Sequence, residues 1–391
     1  MPASPIRKLV PYADGARARG THVYHLNIGQ PDIPTPRPML DAYRGLDLDV
    51  VAYGPSGGLP EYVEALAGYY RSVGLDVKPA DVLVTTGGSE ALLFVINAIA
   101  DPGDEIVVPE PFYTNYLGFA TMSGARIVPV TARAEDGFAL PPIEDFAARI
   151  TPRTRAILFC NPGNPTGVVY TRRELMGLRD LAAERGLYLV ADEVYREFVY
   201  DDAEHVSVLD LEGFKERAIM VDSISKQYSA CGARVGCVVS RNEDLMASLL
   251  KFGQARLCPP TVDQIAARAA MTVGRSYFDE MREEYRKRRD LICETLDAIP
   301  GVVCHKPKGA FYTVAKLPVR DAEHFAVYLL DEFDLDGRTV MVAPASGFYA
   351  TEGAGLDEVR IAYVLNIEDI AAAMECFREG LSRYASLERS A

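Results

Sequence analysis

The chain has no tryptophan, no internal repeat, no C-x-x-C pair and no surplus of positive charge. Nor does it hold an apolar run of the ~20 residues that a membrane-spanning helix requires, so no membrane span is expected. The formal net charge of −14 argues against broad contact with a phosphate backbone, which needs a basic face, and against attraction to an anionic membrane surface. The one dense basic cluster, Arg286-Lys287-Arg288-Arg289, lies among acidic residues in a helical pattern, and a solvated helix face without a nucleic-acid role is expected there. Seven cysteines (160, 231, 237, 258, 293, 304 and 376) are odd in number and widely spaced. Zinc or paired-cysteine redox chemistry is therefore not expected, and reduced thiols in a cytoplasmic protein are. The stretch Met1-Pro-Ala-Ser-Pro-Ile-Arg-Lys8 lacks the apolar core of a secretory signal, which points the same way. Without tryptophan, any ring stacking in a site rests on smaller aromatic rings.

What is present is ample core material: 49% of the 391 residues are apolar, in a chain longer than one hydrophobic core usually serves. From residue 81 onward, short apolar runs alternate with helical patterns. Strands are predicted at 82–86, 105–108, 126–130, 156–159, 187–190, 218–221 and 235–239, the first leading through Gly87-Gly88 into a helix over 89–100. Seven strands with intervening helices imply an α/β fold whose seven-stranded sheet is mostly parallel and covered on both faces. Beyond residue 275 the texture changes, with an amphipathic helix over 278–299, a strand near 311–314, a helix over 321–332 and a last helix after Asn366. This reads as a second, smaller α+β domain. The first forty-odd residues, proline-rich around Gln30–Pro36, are expected to cross the surface and join it.

Two of the apolar runs end abruptly in polar residues, as buried parallel strands do at their carboxyl ends. One delivers Asp192 in Val190-Ala-Asp-Glu-Val-Tyr195, the other Lys226 in Val221-Asp-Ser-Ile-Ser-Lys226. Open α/β sheets bind ligands at those ends. An acid and an imine-forming lysine on nearby strand tips could grip opposite ends of a flat heteroaromatic cofactor such as pyridoxal phosphate. Taken singly, each is open to a plainer reading as a surface lysine and a helix-capping aspartate.

In order, the chain also carries Asn27-Ile-Gly-Gln-Pro31, Tyr53-Gly-Pro-Ser-Gly-Gly-Leu59, Thr86-Gly-Gly-Ser-Glu90, Pro111-Phe-Tyr113, Asn161-Pro-Gly-Asn-Pro-Thr-Gly167, Arg234-Val-Gly236 and Arg360-Ile-Ala362. With Asp192 to Tyr195 and Ser223 to Lys226, this succession resembles the class I/II aminotransferases of the aspartate aminotransferase superfamily over nearly the whole chain. The resemblance implies pyridoxal 5'-phosphate as cofactor and its fold type I. It also implies a large domain over 48–280, a small domain from 1–47 and 281–391, and a homodimer acting on amino acids and 2-oxo acids.

The resemblance further implies roles. Lys226 would tether the cofactor and move the proton, which requires a neutral amine that burial and Arg234 favour. Asp192 would face the pyridine nitrogen, while Tyr195 and Asn164 would bond the phenolic oxygen. Gly88 and Ser89, at a strand-to-helix turn with unpaired N–H groups, would cradle the phosphate with Ser223, Ser225 and Arg234. Tyr113 would stack on the ring, where many relatives use tryptophan. Arg360 would clamp the substrate α-carboxylate, Gly29 would let backbone approach the substrate, and Tyr53 would reach the partner's phosphate. Alone, Gly87-Gly88 is a loop, Asn161–Gly167 two turns, Arg360 a surface residue, Gly29 a turn and Tyr53 a core tyrosine.

Side-chain preference is less plain. Ser89 stands where some relatives place a lysine that reads a distal carboxylate, and Arg256 is the candidate cation for that task. An amino acid:2-oxo acid aminotransferase is the leading expectation. A C–S lyase or ring-forming synthase shares the same residues, and a non-catalytic regulator would need an added DNA-binding segment that does not precede residue 27.

Overall fold

A computed structural model describes residues 7–390, so that part of the amino-terminal stretch weighed above as a signal lies outside the described residues. In chain order the strands are β1 (His22–His25), β2 (Val82–Thr85), β3 (Glu105–Glu110), β4 (Arg126–Thr131), β5 (Thr154–Cys160), β6 (Tyr188–Asp192), β7 (Ala218–Ser223), β8 (Gly236–Val239), β9 (Val303–Cys304), β10 (Tyr312–Lys316), β11 (Arg338–Met341), β12 (Ala343–Pro344) and β13 (Glu358–Ala362). Strands β2 to β8 form one seven-stranded sheet in the order β2-β8-β7-β6-β5-β3-β4. It is parallel except for β8, which runs against both neighbours.

The sheet is buried on both faces, and the alternation along each strand shows it. Val107, Ile157, Phe159, Leu189, Ala191 and Met220 point into one apolar cluster, whereas Ile106, Val108, Leu158, Val190, Ile219 and Val221 point into a second on the opposite side. Successive strand residues face opposite ways, so a strand buried twice must be apolar at every position. That is why these segments read as continuous runs. Burial of each large aliphatic side chain contributes ~1.5–3 kcal/mol.

Strands β12, β13, β10 and β9 form a separate antiparallel sheet, and β1 pairs with β11 in parallel. The amino-terminal strand thus pairs with a carboxy-terminal one. The helix predicted over 278–299 spans Arg275–Asp297, and the last helix is Ile367–Ser390. One expectation is corrected here: Arg288 and Arg289 do not lie on a solvated face. Both are buried. Arg288 bonds Asp32 (2.5 Å) and Glu284 (2.8 Å), and Arg289 holds Asp201 (2.7 Å) and the Pro307 carbonyl (3.0 Å). Asp32 and Asp201 lie far away in sequence, where helical periodicity gives no sign of them. Among the described residues, no helix is long and apolar enough to cross a membrane.

Candidate active site

The carboxyl ends of β5, β6 and β7 and the turn after β2 open into a cavity of about 580 Å³ that β10 and β13 close from the other side. Its wall includes Gly29, Gly88, Ser89, Tyr113, Asn164, Asp192, Tyr195, Ser223, Ser225, Lys226, Arg234 and Arg360, so twelve of the sequence-selected residues meet there. A larger apolar cavity of about 670 Å³, lined by Tyr69, Tyr228 and Phe278 among others, contains none of them.

Asp192 is the last residue of β6, and its Oδ2 accepts a bond from the Tyr116 hydroxyl (2.9 Å). Burial pushes its carboxyl up to about 6, against the pull of Tyr116, the Val194 N–H and Lys226 toward the charged form. Strand β7 ends at Ser223, whose side chain caps the short helix Ile224–Gln227 that carries Lys226. The Lys226 ammonium donates to the Gly29 carbonyl (2.9 Å) and lies 3.6 Å from the Cys231 sulfur. Burial lowers the Lys226 pKa; Arg360 and Arg234 push the same way, and Cys231 opposes them.

The turn after β2 fits an anion. Gly87 has φ +74°, and the helix Gly87–Ile99 starts there with its first N–H groups free of helical partners. Strand β8 passes so close that a Cβ on Gly236 would lie 2.5 Å from the Gly87 carbonyl carbon and 2.6 Å from the Gly88 nitrogen. The Arg234 guanidinium lies over this turn, since a Cβ on Gly87 would fall 2.5 Å from its Nη2. Nearby, the Ser223 and Ser225 hydroxyls are 2.7 Å apart.

On the opposite wall, Arg360 projects from β13 and is 2% exposed. It donates to the Asn27 carbonyl (2.6 Å) and Asn164 Oδ1 (3.1 Å), between the rings of Tyr312 (4.6 Å) and Phe348 (4.8 Å). Among the described residues its Nε is buried with no partner. A buried guanidinium with a free donor and no carboxylate beside it is prepared for an anionic ligand. Asn164 also donates to the Tyr195 hydroxyl (3.4 Å), which is 3.0 Å from the Tyr312 hydroxyl. Tyr113 is half-buried, edge-on to Tyr116 with ring centroids 5.6 Å apart.

Two selected residues are not in this wall. Tyr53 is 81% exposed, which rules out a core position within the chain. Arg256 is held behind the helix Gly87–Ile99 by Glu90 (3.3 Å) and by the carbonyls of Ser56 (3.2 Å) and Val84 (3.4 Å), so within its own chain it does not reach the cavity. Conversely, Tyr116, Tyr312, Cys231, Asn27 and Arg7 escape the sequence reading as site residues. Tyr116 follows Tyr113 by three residues, just inside the helix Asn115–Ser123, a spacing that could have exposed it; Tyr312 looks like any strand aromatic.

The family model for aminotransferase class I and II matches residues 21–376. The chain is 32% identical to the aspartate aminotransferase of Geobacillus stearothermophilus, over 92% of this chain and 91% of that one. Two solved structures have TM-scores of 0.88: the aspartate aminotransferase from Thermus thermophilus with maleate (33% identity, 97% of each chain) and an alanine aminotransferase from Pyrococcus furiosus (32%, 97% of this chain and 98% of that one). The chain belongs to the class I and II aminotransferases. It is a transaminase of the pyridoxal phosphate fold type I, it acts on amino acids and 2-oxo acids, and its cofactor is pyridoxal 5'-phosphate. The cavity suits that group: it offers an anion turn with a guanidinium, a lysine amine and a buried carboxyl on one wall.

Proposed function

We propose that this transaminase exchanges an amino group between an L-amino acid and a 2-oxo acid in two half-reactions, with glutamate and 2-oxoglutarate as one pair. The observation that carries this reading is the buried Arg360 with an unpartnered Nε, facing a cavity that also holds Lys226 and Asp192. Gly88, Ser89, Ser223, Ser225 and Arg234 hold the phosphate, Tyr113 covers the ring, and Asn164 and Tyr195 donate to its phenolic oxygen. Asp192 faces the ring nitrogen, and Arg360 orients the substrate by its α-carboxylate.

When bound, the cofactor supplies an electron-accepting ring that makes the α-hydrogen of an attached amino acid removable. The proton itself is handled by Lys226. Burial and two arginines favour its neutral amine, which would accept the proton from the substrate α-carbon and deliver it to the cofactor carbon that bears the nitrogen. Gly29 holds the amine through its carbonyl, and a Cβ there would lie 1.7 Å from the Tyr312 oxygen, so a larger residue would displace the Tyr312 ring.

The exposed apolar stretch around Leu48, Val50 and Val51, ending in Tyr53, supports a homodimer in which Tyr53 reaches the partner's phosphate site. A large unit of residues 48–280 around the seven-stranded sheet and a small unit of 1–47 with 281–391 match the way the strands divide among sheets. Seven free cysteines suit the reducing cytoplasm.

The test is the visible spectrum of the holoenzyme during addition of single amino acids without any oxo acid. Glutamate should convert the cofactor to its amino form, and 2-oxoglutarate should reverse the change. Persistence of the original band while ammonia accumulates would identify a lyase instead.

A further inference from the structure

We propose that Arg7, at the entry of the cavity, binds the distal carboxylate of dicarboxylic substrates and so sets a preference for glutamate-like donors and 2-oxoglutarate-like acceptors. The proposal rests on the transaminase reading of the cavity and names the substrate class for it.

Four cations line the cavity, Arg7, Lys226, Arg234 and Arg360, against one carboxylate, Asp192, among the described residues. Three of the cations are already engaged. Lys226 donates to Gly29, Arg234 to the Cys231 carbonyl (3.0 Å) beside the phosphate turn, and Arg360 to Asn27 and Asn164. Arg7 alone has no side-chain hydrogen bond or ion pair among the described residues. Cofactor phosphate and substrate α-carboxylate account for Arg234 and Arg360, which leaves one positive charge at the mouth without an anion.

Arg7 is held in place by its neighbours. Lys8 is ion-paired to Glu323, Leu9 is buried, and the Arg7 carbonyl accepts the Val10 N–H (3.1 Å). The helix Val10–Ala18 that follows is tied by Arg19 to the carbonyls of Leu330 (2.7 Å) and Asp331 (3.0 Å). Lys8 therefore anchors the segment while Arg7 faces the cavity. A substrate gripped at Arg360, with its α-carbon beside Lys226, must send its side chain toward the mouth. The other groups there, including Val10, Ile28, Leu92 and Asn115, carry no charge. Ser89 is neutral as well, and the Arg256 guanidinium, beside Glu90 and the carbonyls of Ser56 and Val84, lies outside the cavity wall. A planar fork of N–H donors matches a carboxylate in geometry as well as charge.

The test uses holoenzyme of wild type, Arg7→Gln and Arg7→Lys, with two readouts: kcat/KM for glutamate and alanine half-reactions, and the Kd of unreactive succinate and butyrate from their shift of the cofactor band. Arg7→Gln is expected to lower the glutamate value and succinate affinity about 10–100-fold and to change the alanine and butyrate values by less than about twofold. Arg7→Lys should restore part of the loss. Unchanged glutamate and succinate values, or equal losses for alanine and butyrate, would overturn the assignment. If wild type converts alanine yet binds succinate no better than butyrate, Arg7 is misassigned and the transaminase reading stands. If no amino acid converts the cofactor while succinate binding still depends on Arg7, the substrate-pair reading fails instead.

Discussion

Asp192 sits in a conflict that the cofactor resolves. Its folded-state pKa of about 6 lies above the ordinary 3.8, so folding favours the protonated acid. Stability of the cofactor-free protein therefore falls as pH rises from about 4 to about 6 and stays lower above that, by on the order of 3 kcal/mol. Asp192→Asn should raise the melting temperature of cofactor-free protein at pH 7.5 and leave it nearly unchanged at pH 4, while slowing α-proton removal. Equal shifts at both pH values would remove the charge as the cause. Lys226 shows the opposite displacement with the same origin, since burial lowers an ammonium. Lys226→Ala should abolish turnover yet leave much of the phosphate affinity, because Arg234 and the turn are untouched; equilibrium dialysis of cofactor against the variant reads this directly.

At the scale of elements, the site depends on how closely two strands approach. β8 runs antiparallel between β2 and β7 and brings Gly236 against the turn at Gly87 and Gly88. A methyl at that point cannot be accommodated by rotating a side chain, because the atoms it meets are backbone. Gly236→Ala should therefore weaken cofactor binding at least tenfold, an effect worth about 1.4 kcal/mol or more, with far-ultraviolet circular dichroism unchanged. The sheet interior makes a contrasting case. Leu189 on β6 is fully buried, and Leu189→Ala should cost about 2–5 kcal/mol in chemical denaturation, with the residual folded enzyme retaining its substrate preference.

For the whole molecule, the exposed tyrosine is the informative residue. Tyr53 contributes nothing to the core of its own chain, and the apolar residues just before it are also exposed, with Val50 at 74%. If each site borrows Tyr53 from the other chain, co-refolding Tyr53→Ala with Lys226→Ala subunits creates mixed dimers with one intact site. Activity in the mixture should then exceed the sum of the two separate variants. No gain on mixing would place Tyr53 outside the site.

The order of the strands along the chain, their burial on both faces and the placing of Asp192 at the tip of β6 and of Lys226 just beyond β7 were all legible in the sequence. These follow from local rules: a strand covered twice is apolar throughout, and its chemistry is delivered where the apolar run stops. Gly88, Asn164, Arg234 and Arg360 were legible only through their joint order, since each alone suits an ordinary turn or surface. Tertiary structure decided the rest, because contacts between distant segments leave no periodic trace. The reversed direction of β8, the Tyr195–Tyr312 pair, the Tyr116 bond to Asp192 and the partners of Arg288 and Arg289 are all of that kind. Arg256 and Arg7 show the difference most plainly. Both are arginines in unremarkable local sequence, and only the folded chain turns one toward Glu90 and the other toward the cavity.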